Sequence, residues 1–284
     1  MPLVSSMVGR VGTPATEHVE RRWLMNYAAS VGDENPVWYD TTAEAPLPAH
    51  PAYVSQLEWV AIDQLLEHLV ELSPEERFLG VQSFVDTTIH RPVKATQELV
   101  SIAEVAGVES CPAGARLTVR IETVSEAGAQ VSTSFVGMVY RSVEVVGRIA
   151  PTLPAIPTDD RWAAERARDG RVHLSSIAPH VFSECARDYS PIHTDLAVAT
   201  SAGLPGLILH GTATMAFFLS DVVRHEAAGD PLVRRFTARF GAMVLCPSIL
   251  SLRVTPHMHD SSIHKLEAFT QDGGLAIKAG AAWL

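Results

Sequence analysis

The chain has 284 residues, of which 47% are hydrophobic and 19% charged, and it carries a net charge of −10. That balance supplies a large buried core and excludes a disordered protein. The acidic sign and the lack of a dense basic run exclude nucleic acid as the main partner, so an anionic ligand has to be met by a local cluster of Arg or Lys.

The first segment, "MPLVSSMVGRVGTPATEHVERR", lacks the apolar centre of a secretion signal. No charge-free apolar run approaches the roughly 20 residues that a membrane helix needs. Cys111, Cys185 and Cys246 are odd in number, widely spaced and in no ligand pattern. They predict reduced thiols in a cytoplasmic protein with no membrane attachment.

"YAASVGDENPVWYD" (residues 27–40) leads through a loop to His50-Pro51, and "AYVSQLEWVAIDQLLEHLVEL" (52–72) then predicts a long helix. Four β-branched, alternating stretches follow: "VQSFVDTTIHRPV" (81–93), "QELVSIAEVAG" (97–107), "ARLTVRIETV" (115–124) and "AQVSTSFVGMVYR" (129–141). "SEAG" between the last two predicts a hairpin turn. Prolines at every third position in "APTLPAIPTDDRW" (150–162) predict an extended strap.

Beyond the strap the plan is written again. "FSECARDYSPIHTD" (182–195) aligns without gaps on residues 27–40, with Asp33 on Asp188, Pro36 on Pro191 and Asp40 on Asp195. A loop leads to His210-Gly211. "TATMAFFLSDVVRHEAAG" (212–229) then predicts a helix apolar on nearly all sides, hence wrapped by other structure, with Gly229 as its stop. "RRFTARFGAMVL", "SILSLRVTP", "IHKLEAFT" and "LAIKAGAAWL" predict a second antiparallel meander, with "QDGG" at a turn. The predicted organisation is a degenerate repeat over 1–149, a connecting strap over 150–170 and a second repeat over 171–284.

"RDYSPIHTDLAVATSAGLPGLILHG" (187–211), placed before an apolar helix in a duplicated plan, resembles the MaoC-like family of (R)-specific enoyl-thioester hydratases and dehydratases. The resemblance implies an α+β double hot-dog, two antiparallel sheets each curled around a long central helix. It also implies that Asp188 and His193 together activate the water added or lost, and that the Gly211 N–H holds the thioester carbonyl. Ser190, His210 and Trp38 are the candidate substrate-binding residues. The implied partner is an acyl-CoA or acyl carrier protein thioester, with no metal or redox cofactor, and the chain is a possible homodimer.

The residues fit that chemistry. An imidazole exchanges protons near neutral pH, and a neighbouring carboxylate fixes its tautomer or shares the water. The first N–H groups of a helix have no internal partner and favour negative charge. In the first repeat Trp38 stands where His193 stands and Pro51 where Gly211 stands, so neither a proton carrier nor an amide donor is available there. One active site per chain is expected. Ala216 occupies a position where some members of the family carry serine.

Blander readings apply as well. Asp188 and His193 also suit a capping Asp and a surface His around Ser190-Pro191, and Gly211 suits close helix–sheet packing. His210 is expected to order the helix start. His257, His259 and His264 are expected as solvent-facing strand-end residues rather than metal ligands, and Cys185 as a small packing residue. Arg234, Arg235 and Arg239 suit either phosphate contacts or a solvated strand start. The competing functions are thioester hydrolysis on the same fold and a non-catalytic thioester-binding partner subunit.

Overall fold

The computed structural model describes residues 2–70, 72–78, 80–156, 161–227 and 231–284. In chain order come β1 (Leu3–Val4), β2 (Ala15–His18), α1 (Arg21–Ser30), α2 (Val54–Leu69), α3 (Pro74–Phe78), β3 (Gly80–Ile89), β4 (Glu98–Cys111), β5 (Gly114–Ser125), β6 (Gln130–Arg141) and β7 (Val145–Val146). The second set is β8 (Arg168–Leu174), α4 (Ala178–Ala186), α5 (Leu196–Ser201), α6 (Gly211–Glu226), β9 (Arg235–Phe240), β10 (Ser248–Pro256), β11 (Ile263–Phe269) and β12 (Leu275–Trp283).

Both meanders form where the alternation placed them, and their strand orders agree. In the first, β2, β4, β5, β6 and β3 are neighbours in that order, all antiparallel. In the second, β8, β10, β11, β12 and β9 follow the same order, again antiparallel. Smaller elements repeat too. The 3-10 turns Pro36–Trp38 and Pro191–His193 lie at equivalent points, and α1 and α4 precede them. The duplication read from three identities is therefore present in the backbone.

Turn chemistry explains the hairpins. Gly128 in "SEAG" and Gly273 in "QDGG" have φ of +75° and +86°, a region that costs a side chain and suits glycine. Gly229, the expected stop of α6, lies outside the described residues, as do residues 157–160 of the strap. Strand β8 begins at Arg168, inside the 150–170 segment expected as connector. The alternation of "RDGRVHL" pairs it with β10 and draws it into the sheet.

Two compact units form, and each is discontinuous in sequence. Residues 1–18, 57–91 and 97–156 make one, while residues 19–56, 92–96 and 157–284 make the other. The division therefore departs from a simple cut at the strap, because segment 19–56 packs with the second repeat: α1 lies against α4.

In the first unit the inner face of α2 is apolar at Leu57, Ala61, Ile62 and Leu65, yet Glu58 is buried beside them. Its Oε1 accepts from Ser134 Oγ at 2.5 Å and Ser132 Oγ at 3.3 Å, and Oε2 has no hydrogen-bond partner. Burial pushes this carboxyl up to about 8, against the two hydroxyls, which lower it. The folded chain thus holds a proton that the unfolded chain releases near the ordinary carboxylate pKa. Stability is fullest below that value and is lost as pH rises through about 8. Glu58→Gln is expected to flatten this dependence and raise the melting temperature at pH 8 by about 4 °C. Equal pH slopes in the two proteins, measured by thermal melts between pH 4 and 9, would contradict the assignment.

Candidate active site

All the predicted site residues fall within the second unit. Helix α4 ends at Arg187, whose φ of +56° is left-handed, and the chain turns back on itself there. The Asp188 N–H donates to Ser183 O at 3.1 Å, and Ser183 Oγ donates to the Asp188 carbonyl. Asp188 Oδ1 accepts from the Ser190 N–H at 3.4 Å. Ser190 therefore contributes its backbone to the carboxylate, and Pro191 then sets a 3-10 turn that presents His193.

His193 Nδ1 lies 2.8 Å from the Ile208 carbonyl. A carbonyl only accepts, so Nδ1 carries the proton and Nε2 keeps its lone pair. Burial lowers the His193 pKa, opposed by the Ile208 bond and by the charge of Asp188. Burial raises that of Asp188, opposed mainly by His193. Burial thus opposes the charged form of each group, and the charge of each supports that of the other. Both residues are partly buried.

The His193 ring stacks on that of His210, with centroids 3.7 Å apart and planes at 25°. His210 is the residue before α6, and its Nε2 lies 3.4 Å from the Asp188 carbonyl. Its pKa falls well below the ordinary value through burial first and the neighbouring His193 second. A neutral His210 thereby ties the Asp188 turn, the His193 ring and the start of α6 together. Gly211 follows as the first residue of α6, so its N–H lacks a partner within the helix. A Cβ at Gly211 would stand 3.2 Å from the Phe240 ring, an approach that the ring would have to relieve by a small shift.

Trp38 does not join this group. It is 1% exposed and lies against His50, centroids 5.5 Å apart. His50 caps the turn before α2 as His210 caps α6, its Nδ1 accepting from the Ala52 N–H and its Nε2 donating to Ser220 Oγ at 3.0 Å. Burial drives the His50 pKa down to about 4. A ladder of rings joins the two equivalent places: Trp38, His50, Tyr27, Phe182, His210 and His193, with Tyr27 and Phe182, equivalent residues themselves, 5.7 Å apart.

A cavity of about 460 Å³ lies beside Gly32, Val181, Ser220 and Arg224, not over Asp188, His193 and Gly211. The histidines expected at solvent-facing strand ends divide. His259 is exposed, but His264 is 2% exposed, because it points inward with Nε2 3.5 Å from Glu226 Oε2. Among the described residues no three His, Cys, Asp or Glu side chains gather as metal ligands. Burial raises the thiols of Cys185 and Cys246, the latter to about 11, so neither is an activated nucleophile. Arg235 lies over the Trp283 ring at 4.4 Å.

Residues 165–268 match the family described as MaoC like domain, and residues 6–134 match the FAS1-like dehydratase domain region. The chain carries a MaoC-like dehydratase domain. A UPF0336 protein of Streptomyces coelicolor is 30% identical over 151 residues, 51% of this chain and 99% of its own. The peroxisomal enoyl-CoA hydratase 2 of Arabidopsis thaliana is 39% identical over 54 residues, 19% of this chain and 18% of its own. A crystal structure of a MaoC-like dehydratase from Phytophthora capsici superposes with a TM-score of 0.81 at 17% identity, covering 98% of this chain and 95% of its own. The fold is the expected α+β double hot-dog. Among the described residues no helix is long and apolar enough to cross a membrane.

The tautomers make a direct check. Imidazole nitrogen resonances are expected to show the proton of His193 on Nδ1 and that of His50 on Nε2, both rings neutral at pH 7. A protonated His193 at pH 7, or its proton on Nε2, would contradict the geometry.

Proposed function

We propose that the chain is a hydro-lyase that reversibly adds water to trans-2-enoyl thioesters and removes it from (3R)-hydroxyacyl thioesters. The observation that carries this is the His193–Ile208 bond, which leaves Nε2 as the basic nitrogen of a ring stacked on His210 and close enough to Asp188 for their charges to interact. In hydration, water bonds through its oxygen to C3 while His193 Nε2 takes one of its protons, and the imidazolium then gives that proton to C2, so the ring ends neutral. Negative charge that gathers on the thioester oxygen meets the Gly211 N–H. Dehydration runs the same steps backward. Asp188 orients the water and stabilises the cationic imidazole as it forms.

The MaoC-like dehydratase domain supports the reaction class, and the hydratase named among the relatives supports enoyl-CoA as its substrate type. In this reading residues 171–284 carry the chemistry and 1–149 serve as the structural partner. Three free thiols, Cys111, Cys185 and Cys246, support a reducing, cytoplasmic setting.

Crotonyl-CoA is expected to lose its conjugated-enoyl absorbance in the presence of the protein. Asp188→Asn and His193→Ala are each expected to lower kcat by about 10²–10⁴-fold with the fold intact by circular dichroism. Full turnover in both variants, or release of free thiol in place of hydration, would contradict the proposal. Because burial lowers the His193 pKa, the base form persists below the ordinary imidazole value. The hydration rate is expected to hold at pH 6.5 and fall in more acid solution. An acid limb centred above pH 7 would contradict it.

A further inference from the structure

Arg187 occupies a conformation that side chains rarely adopt, with φ of +56°. Its equivalent in the first repeat is Gly32, with φ of +62° and nothing within 4 Å of where a Cβ would stand. The same turn is thus built twice, once with the residue that suits it and once with an arginine. Backbone geometry gives no reason for the second choice, so the reason lies in the side chain.

That side chain lies 5.8 Å from the centroid of Trp23, and the Arg22 guanidinium lies at the same distance from the same ring. Arg22 is exposed, while Trp23 and Arg187 are half-buried. The residues equivalent to Arg22 and Trp23 in the other repeat are Ile177 and Ala178. There, with Gly32, they line the open cavity of about 460 Å³. One copy of the turn therefore keeps a cavity, and the other carries an indole with two cations. In a chain of net charge −10 this is a local cationic cluster, and it begins one residue from Asp188. An indole held against guanidinium groups orders their donors, and a guanidinium fork matches a phosphate better than any other side chain does.

We propose that Arg187 and Arg22, steadied by Trp23, bind a phosphate on the phosphopantetheine arm or nucleotide of the thioester substrate. The proposal rests on the hydro-lyase reading for its choice of ligand, and its test is read by binding as well as by turnover. A purely structural contact between α1 and α4 would move stability without altering discrimination among pantetheine compounds.

Calorimetry with CoA, 4′-phosphopantetheine and pantetheine as probes separates these cases. Arg187→Gly is expected to fold, since Gly32 holds the same conformation, and Arg187→Asn serves as the second variant. In both, the Kd for CoA is expected to rise about tenfold, with pantetheine binding unmoved. The ratio of kcat/KM for crotonyl-CoA over crotonyl-pantetheine is expected to fall by a similar factor. An equal loss with 4′-phosphopantetheine assigns the phosphate next to the arm, common to CoA and carrier-bound substrates. A loss with CoA alone assigns the nucleotide phosphates. CoA binding that is undetectable, or equal in wild type and both variants, overturns the proposal. Absence of hydration alongside Arg187-dependent CoA binding overturns only the reaction.

Discussion

One hydrogen bond organises the candidate site: the Nδ1–H of His193 to the carbonyl of Ile208. It places the proton on Nδ1 and leaves Nε2 free to accept one. Without it a half-buried imidazole between a carboxylate and a second histidine has two tautomers of similar standing, only one of which is useful as a base. The bond is also local to the fold. Ile208 bridges to Leu245, and Leu209 donates to Val244 at 2.8 Å, so the strand-like segment before α6 is held against the segment that follows β9. The orientation of the ring is thereby tied to the packing of the second sheet.

The stacked His210 extends the same constraint. It is neutral, buried and bonded to the Asp188 carbonyl, so it links the end of α4 to the start of α6. Aromatic neighbours in such a ladder each add about 0.5–1.5 kcal/mol beyond their burial. In the first repeat the same scaffold survives without the chemistry. Trp38 packs on His50, and Asp33 is buried with Arg224 3.8 Å from its Oδ1. The same carboxylate also has His50 Nε2 3.8 Å from its Oδ2, so it lies between a guanidinium and a buried imidazole. The duplicated turn keeps its Asp in both copies, and the His that follows it five residues on is present in one.

Much of this was legible in the sequence because it rests on local pattern. Eight of the ten described meander strands follow from alternation, the hairpins from Gly128 and Gly273, and the wrapped helix from the all-round apolarity of Met215 to Val223. The positions of Asp188 and His193 stood out because residues 182–195 align without gaps on 27–40, and His210-Gly211 because it opens the apolar helix as His50-Pro51 opens the other. What escaped was non-local. A backbone carbonyl carries no residue signature, so Ile208 left no mark. His264 turns inward only because β11 places it over Glu226. Trp38 read as a pocket wall, but its equivalence to His193 puts it against a buried His50. The exchange of residues 19–56 into the second unit depends on α1 meeting α4, which no single segment encodes.

The central claim is that His193 passes the proton of a water added at C3 of an acyl thioester. Incubating a (3R)-hydroxybutyryl thioester in ¹⁸O-labelled heavy water and following the thioester by mass spectrometry tests it most directly. Reversible dehydration predicts that the native protein brings ¹⁸O into the C3 hydroxyl and deuterium onto C2, and that both exchanges vanish with His193→Ala. Exchange that survives in that variant, or label that enters only a released carboxylate, would contradict the account.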